Sequence, residues 1–142
     1  MYTSDINTNQ RQALRTSLTY LIVALFCALV GAIYELFSHE VYSYYMLYAF
    51  AFPLIGGTLP FHIMGITGIN VYPHPIALKL YHSGIATLTV GSIVRGVLDI
   101  YGTTNSLSGY YWIFGGLLIL GGICIETVHR FHYFSLRSDN ID

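Results

Sequence analysis

The sequence predicts an all-α, polytopic integral membrane protein, a four-helix transmembrane bundle with up-down-up-down topology. Three observations predict it. Charged residues make up 9% of the 142 residues and hydrophobic ones 54%, against ~25% charged in a typical soluble domain. Mean hydropathy is +0.57. The apolar residues gather into four long stretches almost free of charge. Six basic and seven acidic side chains cannot cover a soluble globule of this length, and disorder requires low hydrophobicity. The length suits one domain, residues 1–142.

A spanning helix needs ~20 predominantly apolar residues. Only helices and closed barrels satisfy their backbone inside lipid, and barrel strands alternate over ~10 residues. The runs here are continuous, so each is read as a helix. The expected spans are about 14–37, 41–64, 76–101 and 110–133. Ser38–Glu40 links the first two. Gly65–Pro75, with Gly68 and Pro73, links the second and third. Gly102–Gly109, with Thr103, Thr104, Asn105 and Ser106, links the last two. These are turn-forming compositions, and short links imply antiparallel neighbours. The first apolar stretch exceeds the ~7–15 residues of a signal-peptide core and lacks a small-residue cleavage site. It is expected to be a mature helix.

Basic residues near helix ends set orientation. Arg11, Arg15, Lys79, Arg130 and Arg137 fall on the side of the termini, whereas only Arg95 approaches the other. Both termini are therefore expected in the cytosol. Tyr42, Tyr44, Tyr45, Tyr101, Tyr110, Tyr111 and Trp112 would form the outer aromatic belt, and Tyr72, Tyr81, Phe131, Tyr133 and Phe134 the inner one.

Burial alone does not join helices in lipid; small residues that admit close backbone approach do. The first span offers Ala24, Ala28 and Ala32. The third offers Ser92 with Gly96, and Gly84 with Gly91. The fourth offers Gly115-Gly116 and Gly121-Gly122. Such faces pack within one chain or between chains. Cys27 and Cys124 lie in apolar runs without CxxC spacing, and read as buried small apolar residues. The second span carries Pro53 and Pro60 around Gly56-Gly57. A proline inside a helix removes a hydrogen bond. A kink tolerated by neighbouring helices is the expectation, with a broken helix that exposes carbonyls as the alternative.

Ionisable groups at membrane depth are the default functional candidates. An outer set comprises Glu35 and His39 on the first span, Glu40 in the link, and Arg95 and Asp99 on the third. A Glu35–Arg95–Asp99 salt-bridge group tying two helices is expected. An inner set comprises His62, His82, His129 and Glu126, at similar depth on three helices, with His74 and His132 nearer water. Glu126 and His129 share a helical face at the i, i+3 spacing of bundle-core metal sites. Imidazole suits transition metals, and two facing histidines hold a haem iron axially. The expected cofactor set is therefore a b-type haem on two of His62, His82 and His129, or a transition metal ion on His82, Glu126 and His129. The dispersed alternative is three separate interfacial histidines.

Two functions compete on this reading. One is a haem- or metal-binding redox protein working with a membrane partner. The other is an oligomeric channel or transporter subunit for ions, protons or small solutes; an accessory subunit of a larger membrane complex is a third. The net charge of −1 gives no face for nucleic acid. Nucleotide-binding loops and the Gly-x-Ser-x-Gly signature are absent from the sequence. The expected partners are the lipid bilayer and either further copies of the chain or a membrane complex.

Overall fold

The computed structural model describes residues 2–37, 43–67, 72–103 and 105–138, and the side chains of 8–37, 43–67, 72–103 and 105–133. Among the described residues the elements are helical and none is a strand. They are α1 (Tyr2–Phe37), α2 (Tyr44–Leu47), a π-helical segment (Phe52–Thr58), α3 (Leu59–Thr67), α4 (Pro75–Ile100) and α5 (Ser108–Ser138). Four stretches are long and apolar enough to cross a membrane: Thr8–Phe37, Tyr44–Thr67, Pro75–Ile100 and Ser108–Tyr133. The protein is thus an all-α integral membrane bundle. The second stretch combines α2, the π segment and α3.

Two helices outrun the expected spans. α1 starts at Tyr2 rather than near Leu14, and α5 reaches Ser138 rather than Tyr133. Hydrophobicity marks the part of a helix that sits in lipid, not its end. Gln10, Arg11, Gln12 and Ala13 are good helix formers, and lengthening an existing helix needs no new nucleus.

The ends of α4 follow local chemistry. Pro75 occupies its first turn, where the missing N–H costs nothing. At the other end Gly102 has φ +70°. Its N–H donates to the Asp99 carbonyl (3.1 Å) and that of Thr103 to the Leu98 carbonyl (3.0 Å), a Schellman ending that requires a left-handed residue.

The helices pack in the order α5, α4, second span, α1. α1 and α4 do not meet backbone to backbone; Tyr20 and His82 bridge them. The α4–α5 seam depends on glycine. A Cβ at Gly84 would lie 2.9 Å from the Gly115 carbonyl oxygen, and one at Gly122 would lie 2.8 Å from that of Ala77. Gly116 and Gly121 face away, with nothing within 4 Å of a Cβ. Adjacent residues on a helix point about 100° apart, so one glycine of each pair serves the seam. Ala24 of the first-span alanines is buried while Ala32 is exposed. Gly31 takes the outer contact instead, beneath the Met46 carbonyl.

The second span is broken rather than simply kinked. α2 ends in turns at Tyr48–Phe50, and the wider π turn follows between the two prolines. Pro53 would drive its ring into the Ala49 carbonyl in an α-helix, and the chain leaves that register. Among the described residues, neighbouring side chains then cap the loosened backbone. Ser92 Oγ donates to the Tyr45 carbonyl (2.6 Å), Ser17 Oγ to that of Thr58 (3.1 Å) and Tyr81 Oη to that of Gly56 (2.7 Å). Pro60 brings no N–H of its own to this turn, so the Gly56 carbonyl has no donor at i+4.

Candidate functional site: an apolar groove with a charged rim

The polar residues of the half of the bundle where α4 begins fall into two groups on either side of a pair of aromatic rings. On one side, Tyr20 of α1 is hydrogen-bonded to Nδ1 of His82 on α4. Phe61 of α3 stacks on Tyr20, with centroids 6.0 Å apart and planes 7° apart, and lies 5.4 Å from the His82 ring. Tyr81 meets Phe61 edge-on at 6.4 Å. Gly57 makes this cluster possible, because a Cβ there would strike the Tyr20 ring. A shallow recess beside the pair is lined by Thr16, Thr19, Tyr20, Val23 and His82.

On the other side, Glu126 joins α5 to the start of α4. Its Oε2 accepts the His74 backbone N–H at 2.8 Å and its Oε1 accepts Arg130 Nε at 2.7 Å. A carboxylate at a helix N-terminus also meets the positive end of the helix dipole. The Glu126 side chain is 19% exposed and that of Arg130 47%, so the pair forms the exposed rim of this face. His129 lies over His74, with ring centroids 4.7 Å apart.

Between the two groups lies a groove of about 370 Å³. Phe61 and Tyr81 form its back, Met64, Ala77, Leu78 and Ile123 its walls, and Glu126 and Arg130 border one end of an almost wholly apolar lining. Pro60 and Ile123 are exposed at its lip, which in a spanning segment faces lipid. The volume falls in the ~300–1,000 Å³ range of ligand pockets. Such a space accommodates an apolar body, with the Glu126–Arg130 pair beside its end.

The sequence placed His62, His82, His129 and Glu126 around one point. The structure gives them three different surroundings. His82 sits in the aromatic cluster, His129 and Glu126 lie at the rim, and His62 is exposed. His62 follows Phe61, which is 4% exposed; with residue 61 turned inward, residue 62 turns out. Among the described residues, no group of three or more histidine, cysteine, aspartate or glutamate side chains has an arrangement that could hold a metal ion.

In the outer set, Arg95 Nε lies 3.3 Å from Asp99 Oδ1 on its own helix. Arg95 Nη1 also donates to Ser108 Oγ (2.9 Å) and Asp99 Oδ2 accepts from Ser43 Oγ (3.2 Å). The ion pairs among the described residues do not include one between Arg95 and Glu35. The second span intervenes between α1 and α4 along the packing order. His39 and Glu40 lie outside the described residues. Cys27 is buried as expected, whereas Cys124 is exposed on α5.

Sequence reasoning missed Tyr20, Tyr81 as a backbone cap, and Arg130 as a rim residue. A partial signal for Tyr81 existed: Pro60 removes the i+4 donor to the Gly56 carbonyl, which leaves room there for a hydroxyl. Arg130 stands four residues after Glu126, the spacing of a helical ion pair. Tyr20 carried no such signal within its own helix. No family model, curated protein or solved structure matches this chain.

Proposed function

We propose that the protein is a membrane-embedded binding protein, and that the groove between α3, α4 and α5 takes the apolar body of an amphiphilic membrane molecule. One observation carries this reading: a ligand-sized space with apolar walls that ends at a single ion pair, Glu126–Arg130. Apolar pockets with a few convergent polar groups are the usual form of small-molecule sites. The exposed lip supplies entry from the bilayer. In this reading the groove's polar end faces the cytosol with both termini, as the five basic residues of that side favour.

The test is retention. The protein is purified in a mild detergent, washed by detergent exchange, and its co-purified amphiphiles are extracted and identified by mass spectrometry. Wild type retains a near-stoichiometric amphiphile. Leu78→Trp, which fills the groove from its wall, folds and loses it. A wild-type protein that retains none contradicts the reading.

A second reading, a b-type haem or transition metal ion on His82, draws on the Tyr20–His82 hydrogen bond. A ligating imidazole is usually held in place through its other nitrogen. An absorption spectrum with metal analysis decides it. A haem band or bound metal that disappears in His82→Ala supports this reading, and a colourless, metal-free, folded protein removes it.

A further inference from the structure

We infer that the groove selects an anionic phospholipid, with an acyl chain between α3, α4 and α5 and the phosphate on the guanidinium of Arg130. The inference rests on the amphiphile-binding reading above and adds the chemistry of the polar end. Donors and acceptors at the rim decide which headgroup fits. Both carboxylate oxygens of Glu126 are occupied, one by the His74 N–H and the other by Arg130 Nε. Thr127 donates its hydroxyl back to the Ile123 carbonyl. The charge of the rim's one carboxylate is thus matched by Arg130 and by the start of α4, and the group left to discriminate headgroups is the guanidinium.

Arg130 is in the opposite position. Nε is committed to Glu126, and its two Nη nitrogens make no hydrogen bond to a described residue. A guanidinium edge with open N–H groups matches the geometry of a phosphate or carboxylate. The Arg130 side chain is half-exposed and lines the groove's end, so an anion bound there lies in continuity with a chain bound in the groove. His74 and His129, stacked beside Glu126, add imidazole N–H donors at the same edge. Basic pockets between spanning helices are a general means of holding anionic headgroups.

The experiment is native mass spectrometry of the purified chain in neutral detergent, titrated with dioleoyl phosphatidic acid, dioleoyl phosphatidylcholine or inorganic phosphate. Wild type binds the phosphatidic acid on the order of tenfold more tightly than the phosphatidylcholine, the scale of one charged hydrogen-bonded contact. Arg130→Gln abolishes that preference and Arg130→Lys, which keeps charge but loses the planar fork, reduces it. Arg11→Gln, exposed at the same end but away from the groove, leaves it intact. Inorganic phosphate does not displace the lipid, because the chain supplies most of the binding.

Equal affinity for the two lipids, or a preference that survives both Arg130 variants, overturns the inference and leaves the groove reading standing. Displacement by inorganic phosphate alone overturns it as well, by removing the acyl chain from the account. Undiminished binding of both lipids by Leu78→Trp overturns the groove reading itself.

Discussion

The α4–α5 seam and the second span solve the same problem in opposite ways. Along the seam, glycine removes side chains, and two regular helices touch almost backbone to backbone at Gly84, Gly115 and Gly122. In the second span the helix is itself irregular, and hydroxyls from α1 and α4 reach in to satisfy its carbonyls. The seam holds its shape by excluding atoms. The broken span holds its shape by supplying donors. The groove lies where the two meet: α4 and α5 give one wall, and the chain around Pro60 and Phe61 gives the other.

The largest expected effect breaks the seam. Gly84→Ala places a methyl against the Gly115 carbonyl and the Ile119 backbone nitrogen, each 2.9 Å away. Backbone cannot yield as a side-chain tip does. We expect a loss of about 1–3 kcal/mol, the usual cost of overpacking, seen as a lower thermal midpoint in detergent. A midpoint equal to wild type would mean the helices are not so closely apposed.

Next in size is the broken span. Tyr81→Phe leaves the Gly56 carbonyl without its hydroxyl donor. Losing a part-buried hydrogen bond of this kind costs about 0.5–1.5 kcal/mol. The informative variant is the pair: Pro60→Ala restores an N–H at residue 60, and in that background Tyr81→Phe should cost markedly less. Additive effects in the double-mutant cycle would separate Tyr81 from the proline. Ser92→Ala, which removes the cap on Tyr45 from a side chain on a residue 2% exposed, is expected to cost about 1 kcal/mol by the same measurement.

Gly116→Ala sharpens the comparison from the other side. Nothing lies within 4 Å of its added Cβ, and alanine favours a helix over glycine by about 1 kcal/mol. The midpoint should hold or rise slightly. A drop as large as that of Gly84→Ala would show that the outer face of α5 is also packed, by a second chain.

The two regions also differ in how legible they were. The candidate faces of the seam stand in the sequence, since Gly84, Gly115 and Gly122 belong to small-residue patterns at helical spacing, but their use within one chain does not. What the pattern lacked was rotation: it did not say which glycine of each pair turns inward, because α5 is apolar around much of its circumference. The break in the second span was visible as Pro53 and Pro60, yet its form was not, because the π turn depends on donors from other helices. The inner histidines show the same limit. Position along a helix follows from counting residues, and His82, His129 and Glu126 lie toward the end of the bundle where α4 begins. Azimuth depends on packing, and it sends His82 toward Tyr20 and leaves His62 exposed.

The most direct test of the central claim is to locate the chain of a bound amphiphile. A phospholipid with a photoactivatable acyl chain is added at about one molecule per protein in detergent and irradiated, and the labelled residues are identified by mass spectrometry. The account predicts labelling concentrated on Met64, Leu78 and Ile123, competed away by unlabelled lipid and absent in Leu78→Trp. Labelling spread equally over the exposed face of α1, at Leu21, Leu25 and Leu29, and indifferent to Leu78→Trp would contradict it.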